Sequence, residues 1–152
     1  MIVDDHLALV RLGGGLPELD AVGPVVTTSS FHFRLARAVA DSVRSGSLSR
    51  RLTEPPAALR RILRPPAHRL LVLDPRSSIE KSVEVAVRHG ANLLLAELAG
   101  AALYHGAAVR VVPANVGRSW ARVMADEGID FAPLAGGEAS AGPGGGASAA
   151  PG

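Results

Sequence analysis

Two adjacent carboxylates, Asp4 and Asp5, follow directly on the apolar pair Ile2-Val3 and precede a helix-like apolar repeat, Leu7, Leu9 and Val10. A strand that delivers an acid to the mouth of an α/β sheet puts it where such proteins do chemistry. Hydrolytic metal chemistry there requires further acids to converge on the first. Glu97 is the second candidate, the only formal charge between Arg88 and Arg110 in a stretch that is otherwise apolar. Burying a carboxylate alone costs several kcal/mol, so Glu97 is expected to be paired, ligated, protonated or set at a surface gap. The five histidines, His6, His32, His68, His89 and His105, show no pair at the three- or four-residue spacing of a helical metal site. His6, beside Asp5, is the one to test as a phosphate contact. Gly13-Gly14-Gly15 lacks the Lys-Ser/Thr of a phosphate loop and reads as a turn.

The elements that position these residues are legible from periodicity. Val25 and Val26 suit a short strand. Phe31, Leu35, Val39 and Val43 recur every four residues, which predicts an amphipathic helix over 30–44, with Thr27, Thr28, Ser29 and Ser30 as hydroxyl caps. Pro55-Pro56 can start a short helix that Pro65-Pro66 stops, with Leu59, Ile62 and Leu63 inward and Arg60, Arg61 and Arg64 outward. Leu70 to Leu73 reads as a buried strand. Ser77 or Ser78 is expected to cap a helix that carries Ile79, Val83 and Val87 on one face and ends at Gly90. Asn92 caps an apolar central helix reaching Tyr104. Val109 to Val112 form a strand, 119–127 a helix anchored by Trp120, Val123 and Met124, and 129–131 an edge strand. Alternating strands and helices predict a parallel α/β sandwich over residues 1–134. Residues 135–152 are Gly, Ala, Ser and Pro with one acid, a composition expected to be disordered.

With 152 residues, 47% of them hydrophobic, the chain can build one core unaided. Without cysteine it has no thiolate site, and without a basic leader its expected location is the cytoplasm. The uncharged stretches flanking Glu97 fall short of the roughly 20 apolar residues of a membrane helix. The net charge of +2 hides an asymmetry: seven arginines and one acid lie between Arg44 and Arg69, so the remainder is net negative. Such a localised basic stripe suits a polyanionic partner or a solvated helix face.

Asp5-His6-Leu7-Ala8-Leu9 after the first strand, the strand–helix unit 25–39, and the run from Arg88 to Ala99 followed by Tyr104-His105-Gly106-Ala107 and a valine strand resemble, in order and spacing, a PIN domain. This is the small α/β nuclease fold of toxin–antitoxin ribonucleases and RNA-processing factors. The resemblance implies a three-layer sandwich around a central, mostly parallel sheet. It also implies Mg²⁺ or Mn²⁺ held by three or four carboxylates. Asp5 matches the first acid. The second position falls at Arg34 or Leu35, with no acid until Asp41. The third falls on Leu95, two residues from Glu97, and the fourth near Pro113 to Asn115, where Asn115 offers a neutral oxygen. Asp4 is expected as a solvated or turn residue that joins Asp5 on a metal only if the strand has already ended. Arg34, standing where the family has an acid, can neutralise Asp5 in place of the metal.

The expectation is therefore a PIN-like domain, nucleic-acid-associated or toxin–antitoxin-related, with metal-dependent ribonuclease activity reduced or lost. RNA contact would rest on Arg34, Arg60, Arg61 and Arg64, since aromatic residues are only 3% of the chain and stacking is scarce. One rival is an active endoribonuclease with Mg²⁺ on Asp5, Glu97 and Asp4 or Asn115. The other is a homodimer, or a scaffold for an antitoxin-like protein, in which Trp120, Phe131 and the arginine helix meet protein.

Overall fold

The computed structural model describes residues 1–13, 23–44 and 60–134. The expected positions Gly14, Gly15, Pro55, Pro56 and Leu59, the side chain of Val43, and the tail 135–152 lie outside the described residues. Five short strands form one all-parallel sheet: β1 (Ile2–Val3), β2 (Val26–Thr27), β3 (Leu71–Val72), β4 (Val109–Val111) and β5 (Phe131–Pro133). Their spatial order is β3-β2-β1-β4-β5. Helices α1 (Asp5–Leu12), α2 (Ser29–Arg44), α3 (Pro75–His89), α4 (Leu93–His105) and α5 (Trp120–Asp126) cover the faces, and a 3₁₀ turn spans Pro113–Asn115.

Period-two alternation divides the core between the two faces. Ile2 and Val111 join Phe31, Val85, Leu95, Leu98, Val109, Trp120, Val123 and Met124 on one side. Val3 and Val112 join Leu7, Val25, Leu35, Val39, Ile62 and Leu70 on the other. The sheet therefore lies between two apolar layers, a three-layer α/β sandwich. Trp120 is 5% exposed and meets Phe31 edge to face at 6.3 Å, so it is a core anchor and not the surface contact a scaffold would require.

Several elements depart from expectation for local reasons. Helix α3 begins at Pro75, not beyond Ser77. Asp74 caps it by accepting from the Arg76 amide at 3.0 Å, and proline at the first helical position needs no hydrogen bond. Ile79, Val83 and Val87 are exposed, at 58%, 54% and 81%, because α3 packs through its small-residue face. At Gly100 of α4 an added Cβ would lie 2.4 Å from the Ser82 backbone nitrogen. That close approach turns the apolar stripe outward. Leu71 and Val72 are likewise exposed, since β3 is an edge strand bonded among the described residues to β2 alone, and Leu63 faces solvent while Ile62 is buried.

The strand order reverses between β1 and β4. Successive strands step outward from β1 to β3, and the chain then returns to β4 on the other side. The crevice beyond the carboxyl ends of β1 and β4 is the topological switch point, where α/β sheets bind ligands. Residues 4–5 and 112–115 meet there.

Candidate functional site

Strand β1 ends at Val3, and Asp4 is the N-cap of α1, with its Oδ1 accepting from the Leu7 amide at 2.9 Å. Its Oδ2 accepts from the Val112 amide and from Asn115 Nδ2, both at 2.8 Å. The residue is fully buried, so the expectation of a solvated acid is wrong: its carboxylate ties the end of β1 to the end of β4. The strand has already ended at this point, which lets Asp4 and Asp5 approach the same group. Asn115 Nδ2 also donates to Asp5 Oδ1 at 2.9 Å. Asn115 therefore presents N–H to the acids, not the neutral oxygen a metal would use.

Asp5 Oδ2 faces Arg34 Nε at 3.2 Å. The i, i+4 spacing that buries Phe31 and Leu35 leaves Arg34 on the flank of α2 nearest β1, and its guanidinium lies 5.6 Å from the Phe31 ring centroid. The Arg34 side chain is 41% exposed and that of Asp5 17%, so the pair closes the mouth of the crevice while remaining in contact with water.

Glu97 is 7% exposed and faces neither Asp5 nor an arginine among the described residues. Its carboxylate accepts from the Ser30 amide, at 3.2 Å through Oε2 and 3.4 Å through Oε1. It thus caps the amino end of α2, where the helix dipole favours negative charge. The hydroxyls expected to cap that helix do other work. Thr27 Oγ1 donates to Val3 O at 2.9 Å and Ser29 Oγ to Leu73 O at 3.2 Å. Thr28 Oγ1 is buried without a partner among the described residues. Leu95, at the third family position, is 1% exposed in the core. Asp41 pairs with Arg37 and Arg44 on the surface of α2, away from the crevice.

A second polar cluster left no signal in the sequence because its members are far apart along the chain. His89 Nε2 and Arg88 Nη1 each lie 2.6 Å from Glu127 Oε1, with Asp126 Oδ2 3.9 Å from His89 Nδ1. The hydrogen bond from His89, followed by that from Arg88, holds the Glu127 carboxyl below its ordinary value against the opposing effect of burial. The cluster joins the carboxyl ends of α3 and α5. Of the other histidines, His32 Nε2 sits 2.6 Å from Ile62 O, and His6 and His68 are exposed. His105 contacts Tyr104 edge to face.

The arrangement does not fit a resident Mg²⁺ or Mn²⁺. Such a hard cation requires several free anionic oxygens at one point. Here Asp4 is engaged by three N–H donors, Asp5 by an amide and a guanidinium, and Glu97 by the end of a helix. Among the described residues no three His, Asp or Glu side chains converge to hold a metal ion, and no helix there is long and apolar enough to cross a membrane. No protein-family model and no curated protein matches this chain.

Proposed function

We infer that this chain is a PIN-like domain whose acid crevice has been converted from a metal site into an internal salt bridge, and that it acts by binding in a nucleic-acid-associated or toxin–antitoxin-related role. The observation that carries the reading is the contact of Arg34 with Asp5 at the switch point, backed by Asn115 bonded to both acids. A fixed guanidinium supplies the positive charge that a divalent ion would bring, but it has no bound water to ionise into a nucleophile. Metal-dependent cleavage is accordingly reduced or lost in this reading, while the surface arginines are left to meet an anionic partner.

An RNA-cleavage time course tests it, with single-stranded RNA incubated with the protein in Mg²⁺, Mn²⁺ or EDTA. The RNA should stay intact in every arm, for the parent and for Asp5→Asn alike. Metal-dependent shortening that disappears in Asp5→Asn would establish the active endoribonuclease instead.

A further inference from the structure

The arginines of the described residues differ in what they face. Arg34, Arg37, Arg44, Arg88 and Arg110 each lie against a carboxylate. Arg60, Arg61 and Arg64 are exposed and, among the described residues, meet none. Residues 60 and 64 stand one helical turn apart and residue 61 about 100° round, so three guanidiniums leave a single turn toward solvent.

That turn is anchored. The Arg64 amide donates to Arg60 O at 3.0 Å, and Ile62 between them is 4% exposed, packed in the cluster with Leu7, Leu35 and Val39. His32 of α2 lies 2.6 Å from Ile62 O. Arg60, Arg61, Leu63 and Arg64 line a cleft of about 430 Å³, within the range of ligand-binding clefts. Leu63, 52% exposed, gives it an apolar wall.

Three like charges held on one turn repel one another, and an anion with several charges relieves that repulsion. Guanidinium forks match phosphate oxygens in pairs, and their planes together with an apolar wall suit unstacked bases and sugars better than the short side chains of an acidic peptide. Arg34 has the opposite setting. Asp5 holds it, Asp4 lies behind Asp5, and Glu97 caps the turn of α2 before it, so its surroundings repel phosphate. Resting on the nucleic-acid reading above, we propose that the cleft of Arg60, Arg61, Leu63 and Arg64 binds the phosphodiester backbone of a single-stranded nucleic acid, and that Arg34 takes no part.

The test is fluorescence anisotropy of labelled single-stranded RNA and DNA oligomers against the full chain over a salt series, with melting curves to check folding. For the parent, affinity should fall steeply with salt, and the RNA and DNA arms show which backbone is held. The combined variant Arg60→Gln, Arg61→Gln, Arg64→Gln should lose about tenfold or more in affinity and flatten the slope by roughly two, at about 0.7 per phosphate contact. The corresponding lysine variant keeps the charge and loses the fork, so it should keep the slope and bind more weakly. Arg34→Gln should bind like the parent. An unchanged slope in the glutamine variant, a lysine variant as tight as the parent, or a loss confined to Arg34→Gln would overturn the proposal. So would capture of polyglutamate with no binding of either strand, which would assign the cleft to an acidic protein. Oligomer length on a gel is read separately, so metal-dependent cleavage would sink the functional reading without touching this one.

Discussion

At the scale of single residues, the two neighbouring acids have separate tasks, and stability measurements can tell them apart. Asp4 is fully buried and receives three N–H donors, two of them from the far side of the switch point. Asp4→Ala removes a helix cap and strands the buried Val112 amide, a loss of about 3 kcal/mol. Asp5→Ala breaks a partly exposed ion pair and one of the two hydrogen bonds of Asn115 but leaves Asn115 still bonded to Asp4, a loss of about 1 kcal/mol. Urea unfolding of both variants checks the order, and equal losses would contradict the division. Asp5 and Arg34 were legible as a pair because the resemblance set an arginine at an acid position. The role of Asp4 was not, since strand alternation separates residues 4 and 5 and nothing in the sequence marks Val3 as the last strand residue.

Among the elements, α2 and α4 were the most legible. Four-residue spacing set the buried side of α2, and Asn92 caps α4 through the Leu95 amide at 3.0 Å as its position suggests. Helix α3 shows its apolar face in the sequence but not that this face meets solvent, because a Ser–Gly helix crossing leaves a weaker mark than three β-branched residues do. Its carboxyl end makes a testable joint with α5. The His89 and Arg88 contacts hold the Glu127 carboxyl below its ordinary value in the folded chain. A depressed carboxylate adds stability above its unfolded value and loses it as pH falls through the folded one. The stability gap between parent and Glu127→Gln, followed by urea unfolding, should therefore be full at neutral pH and close progressively below the ordinary glutamate range. A gap independent of pH through that window would show that the cluster adds no charge-dependent stability.

For the molecule as a whole, alternating strands and helices were enough to reach a parallel sandwich, and the strand order then explains why residues more than a hundred apart share one crevice. Local periodicity carries no information on which strands become neighbours, so the contact of Asp4 with Val112 and Asn115 had to come from the structure. The topology puts acids at the switch point, and the side chains around them meet that negative charge with a guanidinium and with amides. Direct titration of Mn²⁺, followed by the electron paramagnetic resonance signal of the free hydrated ion, tests this claim most closely. The account predicts that adding the parent protein leaves the free-ion signal unchanged. Saturable loss of that signal with the parent, restored by Asp5→Asn, would contradict it.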